Sequence, residues 1–318
     1  MKSPMIRFSN KLELRYGFND KSTYIDATIR HRCEKEILQL IRSLSDMLDV
    51  RLTVYDEPHT FQEGFKDIWC VAGESVRCIS VVLNLAMQIL VRPTLSVGGQ
   101  PLFERSEGDD ERMQKELARF RRDLKREARG VPHALVELLA NSPRFCKIKS
   151  NFYEALRGYP KITKITLREL NEAGRSRSGL LEVKRESFDF YILRSDDLPT
   201  QRDTRAVIEI ISPVLTDARY RWKGIYNKGG ATIDFYMQDE EFKRQMVEDK
   251  IAFASGMYIE CVLEIARRLS ELGEVINVSY TVTTVIRTRF GGMEIITPQG
   301  KRHLKKMEAE KMQLSLFD

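Results

Sequence analysis

The sequence predicts an α+β protein, with a sheet covered by helices in its first half and a mainly-β curled sheet or small barrel in its second half. Three observations lead there: alternating apolar residues near the start, apolar helical runs up to residue 91, and β-branched runs after residue 160. Of 318 residues, 42% are hydrophobic and 31% are charged, which excludes a disordered chain. The formal net charge of +6 permits a phosphate-bearing partner without requiring one.

The first domain is expected over residues 1–108. Residues 6–17 alternate apolar and charged side chains, the pattern of a half-buried strand. The elements that follow are a helix over Glu34–Leu48, strands over Arg51–Tyr55 and Asp67–Val71, and an apolar helix over residues 75–91. Together they predict a small sheet covered by helices.

The cellular compartment is predicted from the lack of a signal-peptide pattern, the lack of a membrane-helix pattern, and the cysteines. The first residues, Met1–Arg7, lack an apolar signal core, so we expect no secretory peptide. The most hydrophobic run, Cys78–Val91, has 14 residues, whereas a membrane-spanning helix needs about 20 apolar residues, so we expect no membrane partner. Five cysteines without a CxxC pair indicate reduced thiols in a cytoplasmic protein. No metal-ligand spacing or phosphate-binding glycine motif occurs, so neither a metal site nor a cofactor is predicted.

A basic helical connector is expected over residues 109–158. Acidic residues open its first helix, and eight basic residues stand against three acidic ones between positions 112 and 129. Such a helix can lie along phosphates, and the candidate contacts are Arg119, Arg122 and Arg126. The alternative is a solvated helix face, because the acidic residues lie three or four positions from basic ones.

The mainly-β domain is expected over residues 159–300. Its predicted strands begin at Ile162, Leu180, Ala206, Arg219, Ala231 and Val275. A hairpin is indicated where Asn227–Gly230 separates two of these runs. Two helices are expected between the strands, over Asp239–Val247 and Met257–Leu269.

One predicted strand of this domain interleaves cations with aromatic residues. Alternation places Arg219, Arg221 and Lys223 on one face, and Tyr220, Trp222 and Tyr226 on the other. Nucleic-acid-binding barrels use aromatic platforms beside cations, so the three cations and Trp222 are candidate contacts. The alternative is that the aromatic residues belong to the core.

Evidence for catalysis is limited to Glu182-Val183-Lys184. This triplet resembles the ExK half of a metal-dependent nuclease site, which also needs an acidic ligand on a neighbouring strand. The sequence marks no such ligand, and exposed Glu182 and Lys184 on a strand explain the pattern. No catalytic residue is therefore predicted.

The last residues carry a short linear motif behind the charged stretch KRHLKKMEAEKM. Gln313-Leu314-Ser315-Leu316-Phe317 resembles the QLxLF peptide by which bacterial DNA polymerases and mismatch-repair proteins dock on the sliding clamp. The resemblance implies that Leu314, Leu316 and Phe317 enter apolar clefts, while the Gln313 amide donates and accepts hydrogen bonds. Residues 301–318 are expected to form a flexible charged tail. The alternative is that these apolar residues anchor the tail on the β domain.

A second resemblance covers residues 205–290. This region is similar to a module of uncharacterised bacterial proteins, which implies a bacterial origin and a two-domain layout but no activity. The segments that carry the similarity are Ser212–Val214, Arg219–Lys223, Asp234–Phe235, Asp239–Phe242, Phe253–Gly256 and Tyr280–Val282.

The resulting hypothesis is a non-catalytic, DNA-associated accessory protein that its tail recruits to the sliding clamp, in a phage, mobile-element or defence setting. A weak peptide contact would raise the local concentration of the folded part near DNA. Two alternatives stay open: a protein-interaction or ligand-sensing module whose tail packs on its own sheet, and a metal-dependent nuclease around Glu182 and Lys184.

Overall fold

The computed structural model forms two compact units. It describes residues 8–57, 65–95, 109–125, 131–214, 220–227, 230–248 and 256–314. The N-terminal unit comprises residues 1–196 with 270–274, and the C-terminal unit comprises residues 197–269 with 275–318. The expected domain boundary at residue 159 is therefore wrong, and the connector helices belong to the N-terminal unit. The reason is long-range pairing: the strand after that boundary pairs with the first strand of the N-terminal sheet.

The sheet of the N-terminal unit is antiparallel and has five strands in the order β2-β3-β1-β4-β5. The strands are β1 (Phe8–Phe18), β2 (Leu52–Asp56), β3 (Phe65–Gly73), β4 (Ile162–Asn171) and β5 (Leu181–Lys184). The predicted alternation of β1 is confirmed, since Leu12, Leu14 and Tyr16 are buried on one face. A 3₁₀ helix over Arg185–Tyr191 follows β5.

The described residues of this unit also form five α-helices. They are α1 (Ala27–Leu48), α2 (Val76–Val91), α3 (Asp109–Lys125), α4 (His133–Ala140) and α5 (Pro143–Arg157). Helix α1 begins earlier than the apolar pattern indicated, because the Asp26 carboxylate caps it by accepting bonds from the backbone N–H groups of Thr28 and Ile29. No helix in the described part of the chain is both long and apolar enough to cross a membrane.

A buried lysine joins three of these helices. Lys149 of α5 is fully buried, and its Nζ donates to the carbonyl oxygen of Arg92 at 2.8 Å and to that of Ala140 at 3.4 Å. These carbonyls lie at the C-terminal ends of α2 and α4, where helix carbonyls lack an internal partner. Burial lowers the pKa of Lys149 to about 8, because a charged ammonium loses its water there.

The C-terminal unit contains a closed barrel of five strands, which confirms the predicted α+β class and small barrel. The strands are β6 (Asp197–Ser212), β7 (Trp222–Tyr226), β8 (Thr232–Met237), β9 (Tyr258–Leu269) and β10 (Val275–Phe290). Their order is β6-β7-β8-β10-β9, and β9 closes the barrel on β6. Strands β8 and β10 run parallel, and the helix α6 (Glu240–Val247) follows β8. This Greek-key connectivity is that of the OB barrel. A short strand, β11 (Met293–Ile296), pairs antiparallel with the end of β10.

The helix expected over residues 257–269 is wrong, since this segment is strand β9. Its alternate residues Ile259, Cys261, Leu263 and Ile265 are buried in the barrel. The apolar residues fit helical spacing equally well. The segment is a strand and not a helix because it pairs with β6 on one side and with β10 on the other.

The flexible tail expected over residues 301–318 is also wrong in its first part, because residues 298–314 form the helix α7 (Pro298–Leu314). After Gly300, the sequence of α7 contains good helix formers and neither glycine nor proline. The Thr297 hydroxyl accepts a bond from the backbone N–H of Gly300 at 2.9 Å, which caps the helix start.

Asp239 fixes the start of α7 to the barrel. One carboxylate oxygen accepts from the backbone N–H of Phe242 at 2.9 Å and caps α6. The other accepts from the backbone N–H of Val285 at 2.7 Å and from the Gln299 amide at 3.2 Å. This buried carboxylate therefore links α6, β10 and α7.

Candidate nucleic-acid interface

The β7–β8 hairpin decides which residues of the cation–aromatic run face solvent. The hairpin predicted around Asn227–Gly230 is confirmed, with Trp222 opposite Phe235 and Lys223 opposite Asp234. Trp222 is only 1% exposed, and its ring centroid lies 6.1 Å from that of Phe235 in the barrel core. The prediction that Trp222 contacts nucleic acid is therefore wrong, because its side chain lies on the inward face of the strand and is buried in the barrel core.

Two of the predicted cations lie on the outer face of this hairpin. Arg221 and Lys223 are both exposed. The Arg221 Nε donates to the Tyr236 hydroxyl at 3.0 Å, and its guanidinium carbon lies 5.0 Å from the Tyr236 ring centroid. A cation stacked on an aromatic ring is held in position and keeps its charge at the surface. The third cation, Arg219, lies outside the described residues.

Tyr220 is an exposed aromatic residue that the sequence analysis assigned to the wrong face. It is 66% exposed and precedes Arg221 in the loop between β6 and β7. Strict alternation had grouped it with Trp222, but the strand begins at Trp222, so the alternation does not extend to Tyr220. Its ring is available for stacking beside two cations. We name Tyr220, Arg221, Lys223 and Tyr236 the barrel patch.

Helix α3 carries a second basic surface. Its apolar residues Met113, Leu117, Phe120 and Leu124 are buried on one face. The opposite face exposes four cations at spacings of three and four residues: Arg112, Lys115, Arg119 and Arg122. At about 100° per residue these four side chains share an arc of about 80°. The structure thus places two predicted contacts, Arg119 and Arg122, on one stripe, while Arg126 lies outside the described residues.

Only the first part of the docking motif falls within the described residues. Gln313 and Leu314 are the last two residues of α7, whereas Leu316 and Phe317 lie outside the described part of the chain. Upstream, α7 exposes Lys301, Arg302 and Lys305, and Arg302 pairs with Glu241. Clamp binding by the motif stays a prediction.

The ExK triplet lies on the short strand β5. The Lys164 Nζ lies 2.8 Å from a Glu182 carboxylate oxygen, and its hydrogen bond lowers the pKa of Glu182. In register, Glu182 lies opposite Thr166, and Lys184 lies opposite Lys164. In the described ranges, no group of three or more histidine, cysteine, aspartate or glutamate residues could hold a metal ion.

A cluster of charges on the N-terminal sheet was not predicted. The Glu13 carboxylate is 2% exposed, and the Nε atoms of Arg15 and Arg168 lie 2.7 Å and 2.6 Å from it. Lys66 adds a third cation at 3.7 Å. Burial alone would raise the pKa of Glu13, but hydrogen bonds from both arginines outweigh it and lower the pKa. The alternation of β1 marks Glu13 as facing away from Leu12 and Leu14. Arg15 lies two residues away on the same strand, whereas Lys66 comes from β3 and Arg168 from β4, and these two partners leave no local signal.

Comparison with known proteins gave no match to a family model, to a curated protein or to a solved structure.

Proposed function

We propose that this chain is a non-catalytic accessory protein of the bacterial cytoplasm that binds DNA and docks on the sliding clamp. The observation that carries the DNA part is the barrel patch. It combines the exposed ring of Tyr220 and the half-buried ring of Tyr236 with two cations, on the second and third strands of the barrel and the loop before them. Barrels with this connectivity use the same strands and loop to bind oligonucleotides and oligosaccharides.

The chemistry of the barrel patch favours single-stranded nucleic acid. Tyr220 offers a ring on which a base can stack, and Arg221 and Lys223 lie within three residues of it and can contact the phosphates. Stacking tolerates any base, so the binding should be sequence-independent. The basic stripe of α3 would add affinity for phosphates that falls as salt rises.

The clamp part rests on the motif Gln313, Leu314, Leu316 and Phe317. A peptide contact of this kind is weak alone, and a second contact with DNA makes the combined attachment stronger than either. The proposed mechanism is tethering, in which the clamp contact keeps the barrel close to exposed single strands.

The test measures both contacts on the full chain. Clamp binding is measured by surface plasmon resonance, and binding to oligothymidylate by fluorescence anisotropy. In the variant Leu316→Ala/Phe317→Ala, we expect clamp binding to be lost and oligonucleotide binding to be retained. In the variant Arg221→Ala/Lys223→Ala, we expect the reverse.

The two contacts fail separately. A folded wild-type protein that does not bind the clamp refutes the docking proposal, and one that does not bind oligothymidylate at low salt refutes the DNA proposal. Arg202→Ala is a matched control for the barrel, since Arg202 is an exposed cation on β6 outside the barrel patch.

A further inference from the structure

We propose that Asp234 gives the barrel patch a preference for guanine among the bases of a single strand. This inference rests on the proposed function, because it concerns the same surface. The stacking and phosphate contacts of that surface are sequence-independent by themselves, whereas an exposed carboxylate beside them can discriminate between bases.

Asp234 lies on the outer face of β8, beside the residues of the barrel patch. Its neighbours in sequence, Ile233 and Phe235, are buried in the barrel, so alternation directs Asp234 outward together with Tyr236. In the β7–β8 pairing, Asp234 lies directly opposite Lys223. Side chains in such positions are neighbours, with Cβ atoms about 5 Å apart. The surface therefore holds a hydrogen-bond acceptor next to one of its cations.

The Asp234 carboxylate is available to a ligand. It is exposed, and among the described residues it takes part in no hydrogen bond and no ion pair, including with Lys223. By contrast, Asp203 of the same barrel accepts a hydrogen bond from the Tyr226 hydroxyl at 2.7 Å. An exposed ion pair between Asp234 and Lys223 would contribute little to stability, so a base that binds the carboxylate has little to displace.

The negative charge of Asp234 determines which part of a nucleotide it can contact. A carboxylate repels the phosphates of a strand, so it does not bind the backbone. The hydrogen-bond donors within a DNA strand are the N–H groups of the bases, and their edges are accessible when the strand is single. Lys223, directly opposite, can contact a phosphate. The two side chains thus suit the two parts of a nucleotide, the cation its phosphate and the carboxylate its base.

Guanine is the base that fits this acceptor best. Its Watson–Crick edge presents two adjacent donors, N1–H and the N2 amino group, which match the two oxygens of a carboxylate. Adenine and cytosine place a ring-nitrogen acceptor beside their amino group, and thymine has a carbonyl oxygen on each side of its N3–H. These acceptors would lie against the negative carboxylate, which is unfavourable.

A base stacked at the barrel patch can reach Asp234. The Arg221 guanidinium lies on the Tyr236 ring, 5.0 Å from its centroid, and bases stack on such guanidinium planes. Asp234 lies two residues from Tyr236 on the same face of β8, a distance of about 7 Å along the strand. A purine that stacks on Arg221 covers a distance of this order, which brings its edge to the carboxylate.

Fluorescence anisotropy on the full chain tests the proposal with single strands of about 20 nucleotides in lithium salt, which does not support guanine quadruplexes. The probes alternate thymine with guanine, adenine or cytosine, and oligothymidylate is the fourth. Wild-type protein should bind the guanine probe at least about fivefold more tightly than the other three, the low end for a bidentate base contact. Replacing guanine by hypoxanthine, which keeps N1–H and lacks the N2 amino group, should remove most of this preference while leaving a purine to stack.

Asp234→Asn should reduce the guanine preference to less than about twofold. Because the substitution also removes a charge that repels phosphates, binding to oligothymidylate should not weaken. A merely structural role of Asp234 would instead weaken binding to all four probes. Glu308→Gln makes the same carboxylate-to-amide change at an exposed position of α7, and this matched control should keep the wild-type preference.

The outcomes separate this inference from the proposed function. Wild-type protein that binds all four probes within about twofold of one another overturns the guanine preference and leaves the DNA proposal intact. A guanine preference that persists in Asp234→Asn overturns the role of Asp234. Folded wild-type protein that binds none of the probes at low salt overturns both proposals.

Discussion

Stacking and charge make separable contributions to single-strand binding at the barrel patch, and two sets of substitutions should resolve them. Each phosphate contact on a single strand contributes about 0.7 to the slope of log K against log salt. Removing both cations with Arg221→Ala/Lys223→Ala should therefore flatten the slope by about 1.4. Between about 50 and about 200 mM salt, the affinity ratio of wild type to this variant should shrink about sevenfold.

Tyr220→Ala should behave differently, because a stacked ring carries no charge. Loss of one base–aromatic stack costs about 1 to 3 kcal/mol, a weakening of about 5- to 150-fold. The exposed fraction of 66% shows that the ring is not part of the barrel core, so the stability of the barrel should not change. The salt slope should be the same as in the wild type.

Fluorescence anisotropy with an oligothymidylate of about 20 nucleotides at several salt concentrations measures both effects. Arg202→Ala controls for loss of a cation elsewhere on the barrel. An unchanged slope in the double variant, or a change of less than about twofold for Tyr220→Ala, would refute the reasoning about this surface.

Three further predictions concern stability and are checked by urea denaturation. The pKa of Lys149 is lowered from 10.5 to about 8, so between these pH values the unfolded chain binds more protons than the folded one. The free energy of unfolding of the wild type should therefore rise over this pH range by up to about 3 kcal/mol, measured relative to Lys149→Met. Asp239→Ala removes a helix cap and leaves the buried Val285 N–H unpaired, which should cost about 2 to 4 kcal/mol; a loss below about 1 kcal/mol would contradict the anchoring role of Asp239. Glu13→Gln leaves three cations around a neutral group and should cost about 2 kcal/mol at neutral pH. That difference should vanish as the pH falls through the lowered pKa of Glu13, because the protonated wild type then resembles the variant.

Local patterns were sufficient for elements whose signal lies within a few residues. The β7–β8 hairpin follows from the glycine-rich Asn227–Gly230 turn, and α2 follows from its continuous apolar run. The spacing of the apolar residues of β9 fits both a helix and a strand, and its pairing with β6 and β10 makes it a strand. Propensity indicated that α7 can form a helix, but the flanking charges were interpreted as a mobile tail.

The candidate sites were predicted less completely, because they depend on contacts between distant positions. The buried Glu169 carboxylate, for example, accepts hydrogen bonds from Asn10 and Ser80, which lie 159 and 89 residues away along the chain. Whether an aromatic residue is exposed or packed depends on where a strand begins: β7 begins at Trp222, which is buried, whereas Tyr220 lies two residues before the strand and is exposed. Sequence spacing defines the faces of a strand, while only the sheet decides which face is inside.

The anchoring of α7 gives the proposed tether a defined geometry. A Cβ at Gly300 would lie 2.0 Å from the carbonyl oxygen of Ile286, so the first turn of the helix sits directly against β10 and tolerates no side chain there. From its start at Pro298, the 17 residues of α7 span about 26 Å. In the proposed function this helix is a stiff spacer with the docking motif at its far end. The effective concentration of one linked site at the other is greatest when the length of the linker matches the distance between them. A helix of fixed length therefore favours simultaneous contact with DNA and clamp more than a flexible tail of the same number of residues would. The anchor formed by Asp239, Thr297 and Gly300 would then be as important for tethering as the residues that touch either partner.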